Sequence, residues 1–453
     1  MLMRPLFLLI ALTASMTCLA GRTIAADDAL WPNFLSSPSA EVKAADLPLE
    51  WSPEKGVKWK LDLPGYGQSS PIVWGKQIYV TSISGPNKEK CIVTSFDLET
   101  GKLLWSQQTD TGMPEENTIY VSRAASSPVA DANGVIAFFE GGILIAYSPD
   151  GKERWKRNLV ADFGETRVKF GLSSSIAQTE SSAFIWVERE KDPFVLAIDK
   201  ATGKDLWKVP GFGKTTWSSP SVVNIAGRSQ LVLSAQTLLV GLDAKTGESL
   251  WKLEGLFGNT TPSPRPLGEG KLLLGASVGR EQGGGGNAAQ SNAVVEIKSK
   301  TDGKYGVDFV WKSEKATCSF NSPLAHQGCT YHLNAQGVMY CLDIATGKQH
   351  YAERIGESAW ATPIGVEDRV YVFGKSGSYT VLKAGPAFEV LSQGRTWADK
   401  EPETSSDKGS TNLPGGAGGG GPGMNASATQ YAAVIVPGKI LIRRGGALYC
   451  IAK

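Results

Sequence analysis

Phe96-Asp97-Leu98-Glu99-Thr100-Gly101-Lys102-Leu103-Leu104-Trp105 returns as Ile198-Asp199-Lys200-Ala201-Thr202-Gly203-Lys204-Asp205-Leu206-Trp207, and again as Leu242-Asp243-Ala244-Lys245-Thr246-Gly247-Glu248-Ser249-Leu250-Trp251. A fourth copy, Leu342-Asp343-Ile344-Ala345-Thr346-Gly347-Lys348, runs on to Tyr351 where the others have tryptophan. Pro149-Asp150-Gly151-Lys152 leading to Trp155 is a shortened copy. Thr301-Asp302-Gly303-Lys304 leading to Trp311 is a degraded one. Each element of the motif has a physical reason. The Asp carboxylate can accept from backbone amides two or three residues on and hold a turn. Glycine supplies the positive φ that such a hairpin needs. The apolar residues before Asp and the Trp after the turn then fall on paired strands, and the indole offers a broad face to pack between neighbouring sheets.

Working outward, a second marker falls in every interval. Ser69-Ser70-Pro71, Ser126-Ser127-Pro128, Ser173-Ser174-Ser175, Ser218-Ser219-Pro220, Pro262-Ser263-Pro264, Asn321-Ser322-Pro323 and Ala361-Thr362-Pro363 occupy equivalent places, with Ala426-Ser427-Ala428 as an eroded eighth. Each precedes an apolar strand; a second strand follows, then the one carrying Asp, then the one ending in Trp. Four strands in a unit of about forty to sixty residues is the size of a propeller blade. Closing positions fall at Trp105, Trp155, Trp207, Trp251, Trp311, Tyr351 and near Val390-Leu391. The last unit, from about Met424 to Lys453, has only three strands. Val57-Lys58-Trp59-Lys60-Leu61 reads as its missing fourth, with Trp59 in the repeat position. The expected fold is therefore all-β: an eight-bladed propeller over 57–453, its ring closed by an N-terminal strand that removes the exposed sheet edge. Residues 27–56 form a lead-in.

Asp-x-x-Thr-Gly-Lys-x-x-Trp with an upstream Ser-Pro strand resembles the PQQ-type (pyrroloquinoline quinone) propeller repeat. That repeat occurs in quinoprotein alcohol dehydrogenases and in non-enzymatic exported propellers of the BamB type. The resemblance implies either a redox pocket with calcium or a protein-binding scaffold at an outer membrane. The dehydrogenase pocket also carries an adjacent Cys-Cys pair, a Glu-Asn-Asp calcium set and a catalytic Asp; here no Cys-Cys pair occurs and no calcium set aligns. There is no Cys-x-x-Cys-His for a c-type haem either.

The 453 residues include 52 glycines and 13 tryptophans, with 20% charged. That mixture suits short strands and tight turns. Residues 1–26 read as a signal peptide: Arg4, an apolar run from Leu6 to Thr13, then small residues with a cleavage site near Ala25-Ala26. An uncleaved anchor and a lipidated Cys18 are the alternatives, although Ser15-Met16-Thr17 is a poor lipobox. Removing this segment takes Arg4 and Arg22 from the 46 bases and leaves 44 against 44 acids. A near-neutral chain argues against nucleic acid as a partner. Five cysteines remain after the leader, and their spacing leaves the disulfide pattern open.

The long connections at 108–122, 160–170 and 394–424, and at 84–90, 188–193 and 279–292, all emerge on one face, the expected functional face. Those at 279–292 and 394–424 are glycine-rich low-complexity loops. Residues before the Ser-Pro markers should ring the channel mouth there: Gln68, Arg123, Phe170, Trp217, Thr260, Asn321, Trp360 and Asn425. Gln68, Arg123, Trp217, Asn321 and Trp360 are the ligand-binding candidates. Trp217 and Trp360 could also stack on sugar rings, which would make the mouth a carbohydrate site. His326, Cys329, His332 and His350 share one blade but suggest no complete metal set. Gly275-Ala276-Ser277-Val278-Gly279 lacks the strand–turn–helix context of a nucleophile elbow. Asp97, Asp199, Asp243 and Asp343 recur once per blade and read as turn-formers. The expectation is an exported, periplasmic or outer-membrane-associated, non-catalytic scaffold. It needs no cofactor and binds another exported or outer-membrane protein; a PQQ-dependent dehydrogenase and a carbohydrate-binding propeller are the alternatives.

Overall fold

Period-two alternation along the fourth strands, as in Leu103–Asp110 and Asp205–Pro210, leaves one side half-buried and the other in water. The strands inside them, such as Gly134–Phe138 and Ile143–Tyr147, are buried throughout. A sheet with a wet outer edge and a dry interior packs radially, and that is the arrangement here. The computed structural model describes residues 30–114, 123–166, 168, 171–189, 191–212, 216–278, 287–301, 303–398 and 430–453. The signal segment, Phe170, Asn425, the eroded marker 426–428 and the glycine-rich runs lie outside the described residues.

Eight antiparallel sheets form the propeller. Blades one to seven close at Trp105, Trp155, Trp207, Trp251, Trp311, Tyr351 and Val390–Arg395 in chain order. In the eighth, Gln430–Val436, Lys439–Arg444 and Ala447–Ala452 are completed by Val57–Asp62, with Trp59 opposite Cys450. The first-to-second-strand turns are two- or three-residue links such as 132–133 and 367–368, whereas the strands ending at Asp110, Leu274 and Arg395 end at the opposite face.

The repeat turns lock each blade to the one before it. Asp199 Oδ1 accepts from Thr202 N at 2.8 Å and from Thr202 Oγ1 at 2.8 Å; Asp97 and Asp343 do the equivalent, and Asp243 accepts from the Lys245 and Thr246 amides. The hydroxyl bond from Thr202, then the amide bond, holds the Asp199 carboxyl below its ordinary range. The Trp of the preceding blade lies under the turn glycine. Its indole Nε1 donates to a carbonyl there: Trp105 to Pro149, Trp155 to Lys200, Trp207 to Ala244 and Trp311 to Ile344, at 2.8–3.1 Å. A methyl group on Gly151, Gly203, Gly247 or Gly347 would sit 2.6–2.7 Å from that ring. Trp251 departs from the pattern. The next turn is the degraded 301–304 copy, and Trp251 folds onto Gly241 of its own blade and donates to Gln230 Oε1 at 2.7 Å.

The Ser-Pro markers supply a second, inner lock that the sequence pattern did not explain. Backbone N–H groups pass hydrogen bonds around the channel from blade to blade: Ser70 to Ser127 Oγ, Ser127 to Ser175 Oγ, Ser175 to Ser219 Oγ, Ser219 to Ser263 Oγ, Ser263 to Ser322 Oγ and Ser322 to Thr362 Oγ1, at 2.8–3.1 Å. This ring corrects one alignment. In blade three the marker is Ser174-Ser175-Ile176, one residue later than the sequence comparison placed it. Ser219→Ala strips the acceptor from a buried amide, and we expect a loss of about 1–3 kcal/mol in chemical denaturation. A change below the error of the measurement would show that the ring contributes nothing to stability.

The lead-in does more than connect. Leu30–Trp31 pairs with Ile72–Trp74 as a fifth, innermost strand of blade one. Pro32 O then accepts from Ala130 N of blade two and Gln178 Nε2 of blade three. Arg265 of blade five donates to Leu35 O. Ala44 bonds Glu367 and Arg369 at the turn face of blade seven. The segment therefore crosses the channel. Beyond it, Trp51 stacks on Tyr379 at 3.5 Å between blades seven and eight.

Candidate channel-mouth site

The hydroxyl ring gives the register of the mouth. Two residues before each ring position stand Gln68, Ala125, Ser173, Trp217, Thr261, Phe320 and Trp360, all half-buried or exposed. Gln68, Trp217 and Trp360 are thus on the mouth. Trp217 is half-buried, its Nε1 donating to Gly171 O at 3.1 Å. Arg123, Thr260 and Asn321 are not on the mouth, because the spacing between marker and preceding residue varies from blade to blade. Asn321 is buried and its amide nitrogen donates to Leu333 O and Ala359 O, stapling blade six to blade seven. Thr260 is buried and its carbonyl accepts from the Trp217 and Ser218 amides.

Arg123 is buried in a left-handed backbone conformation (φ 61°) and joins Lys88 and Glu140 in a buried charged group beside blades one and two. Burial raises Glu140 to about 7 against the pull of Arg123. Burial, then the Arg123 charge, brings Lys88 down to about 8.

Phe320 was missed by sequence reading, since blade six has Asn at the first marker position and the counting slipped by one. It is 55% exposed and packs on Trp360, itself 36% exposed, at a centroid separation of 4.9 Å. Phe257 and Val278, at 39% and 78% exposure, lie in connections on the same face of the neighbouring blades. Below the mouth, the lead-in encloses a cavity of 310 Å³ against blades five to eight. Its wall includes Arg265, Leu324, His326, Trp360, Thr362 and Glu367.

The residues present do not suit PQQ with calcium. Among the described residues no three His, Cys, Asp or Glu side chains come together to hold a metal. The cavity's acid, Glu367, already accepts from Ala44 N and lies 3.7 Å from Lys43. Cys91, Cys318, Cys329, Cys341 and Cys450 are buried, unpaired thiols. The histidines separate too. His326 contacts Glu367 O at 2.7 Å, and His350 is exposed. His332 is fully buried against Asn292 Oδ1 and Thr330 Oγ1.

Burial depresses His332 to about 3. The imidazole therefore stabilises the fold above its unfolded value near 6.5, and that contribution drains as pH falls toward 3. Between pH 7 and pH 4, His332→Gln should lose less stability than wild type, by about 3 kcal/mol. Parallel urea-midpoint curves for the two proteins would contradict this.

With the geometry in place, the comparisons decide the family. The model of a family described as outer membrane protein assembly factor BamB matches residues 49–190 and 191–280, just over half of the chain. The chain belongs to this family. No curated protein matches it. Among solved structures, BamB from Moraxella catarrhalis is similar at 10% identity and a TM-score of 0.56, covering 87% of this chain and 98% of that one. The computationally designed Ika8 protein is similar at 12% identity and 0.52, covering 86% and 98%. The quinohemoprotein alcohol dehydrogenase ADHIIG from Pseudomonas putida HK5 is similar at 12% and 0.50, covering 88% and 76%. At these identities the likeness is one of fold, which BamB-family scaffolds and quinoproteins share.

Proposed function

We propose that this BamB-family propeller is an exported, non-catalytic scaffold that binds another exported or outer-membrane protein through its loop-rich face. The observation that carries the proposal is the exposed Phe320–Trp360 aromatic pair on that face, with Phe257 and Val278 exposed in connections of the neighbouring blades. Large apolar side chains grouped in the open on one face suit a protein interface, and aromatic anchors contribute most to such interfaces. The donor set of the cavity favours this over the quinoprotein alternative. Among the described residues no helix is long and apolar enough to cross a membrane.

Capture from a cell-envelope extract tests it, comparing wild type with Phe257→Ser/Phe320→Ser. The expected result is a specific protein retained by wild type and lost from the variant, with thermal stability unchanged. Equal retention by both, or none by either, would remove the proposal. Titration with PQQ in calcium, followed by tryptophan fluorescence, addresses the enzymatic alternative; saturable calcium-dependent quenching would revive it.

A further inference from the structure

The hydroxyl ring also gives a register for the channel wall. Two residues beyond each ring position the wall carries an apolar or small side chain, from Ile72 in blade one to Ile364 in blade seven, except in blade five, where Arg265 stands. Arg265 borders the 310 Å³ cavity. Among the described residues its guanidinium donates to one carbonyl, Leu35 O, which occupies one of several donors, and makes no ion pair. Burial lowers it to about 10, with no carboxylate acting to raise it. The other charges on the wall are Lys43 and Glu367, and Glu367 is held by Lys43 and Ala44 N, while burial holds the His326 imidazole below its ordinary range. The cavity is thus positive, with an arginine whose fork is largely unspent.

We propose that this cavity is a binding site for a carboxylate borne on a flat apolar body, with Arg265 as the group that takes the carboxylate and Trp360 as the surface that takes the apolar part. A guanidinium matches a carboxylate with two parallel N–H···O bonds, and that match is worth more away from water. A carboxylate matches the planar guanidinium fork, and Leu324, Ile364, Ala432 and Ala433 supply the apolar part of a wall that also carries Ser70 and Thr362. The same chemistry comes from two sources: a small aromatic acid, or the C-terminus of a polypeptide ending in an aromatic residue. This site goes beyond the scaffold reading and shares only Trp360 with it, and the two are tested separately, because partner capture is read with Phe257 and Phe320 changed and Arg265 intact.

The test is calorimetric titration of the full chain with N-acetyl-phenylalanine and with its amide. We expect saturable binding of the acid, and binding of the amide weaker by about tenfold or more. Arg265→Gln keeps a donor for Leu35 O but loses the charge; it should weaken the acid by about tenfold or more with an unchanged melting temperature. Absence of saturable acid binding, equal binding of acid and amide, or wild-type binding by Arg265→Gln each overturns the proposal. A peptide with a free C-terminal Phe that binds more tightly than N-acetyl-phenylalanine, through Arg265, points to a polypeptide terminus; equal affinity points to a small acid. Either outcome supports the site.

Discussion

Arg443→Met is expected to lower the stability of the propeller by about 3–5 kcal/mol. Arg443 lies in the second strand of blade eight and is fully buried. It donates to Ser69 O at 3.2 Å, to Ser69 Oγ at 2.5 Å, to Thr81 O at 2.8 Å and to Ser82 Oγ at 3.3 Å, all in or beside blade one. Burying a guanidinium costs several kcal/mol, and charge-assisted bonds at about 1.5–3 kcal/mol each offset it. Methionine removes the desolvation cost but leaves buried carbonyls without donors, at about 1–3 kcal/mol apiece, and the second effect is the larger. Closure also rests on Leu63 N bonded to Gly446 O and on Glu99 between Lys58 and Lys439, but Glu99 and Lys58 are exposed and the Lys58 pair is worth little. Urea unfolding would read the change. A difference under about 1 kcal/mol would mean that desolvation and bonding cancel, and that the outer strand alone closes the ring.

Gly203→Val is the second large effect, and Gly303→Val is its control. Both glycines have positive φ, 70° and 77°. A Cβ at Gly203 would meet the Trp155 ring at 2.7 Å, whereas at Gly303 nothing lies within 4 Å. The backbone penalty of about 1–2 kcal/mol is shared, but only Gly203→Val also expels the preceding blade's indole and its bond to Lys200 O. We expect a loss of about 3–5 kcal/mol at Gly203 against about 1–2 kcal/mol at Gly303. Equal losses would mean that the Trp–Gly contact adds nothing between blades.

The number of blades, the strand order within them and the closure by Val57–Asp62 were legible in the sequence. They depend on local chemistry repeated in register: an Asp-capped turn, a glycine at positive φ, a Trp at fixed spacing. Six copies of a local rule reinforce one another, so the erosion of one, as at 301–304, does not hide the array. The mouth was legible only in part. Gln68, Trp217 and Trp360 are half-buried or exposed two residues before the hydroxyl ring. Arg123 and Asn321 are buried instead, because a residue's direction at the end of a loop depends on which carbonyls of the next blade it can reach.

The remaining features come from contacts between segments far apart in the chain. The Ser-Pro marker is visible in the sequence. Its hydroxyl's partner, about forty to sixty residues earlier, becomes a neighbour only when blades close around an axis. The lead-in has no repeat and no periodicity, so nothing local shows that it enters the channel, pairs with blade one and leaves a cavity beside Arg265. The repeating unit and its count follow from short-range turn and strand preferences and are set locally along the chain. The mouth, the plugged channel and the buried Arg443 closure were decided by the folded ring, because each depends on desolvated groups finding partners that only ring closure brings within hydrogen-bonding distance.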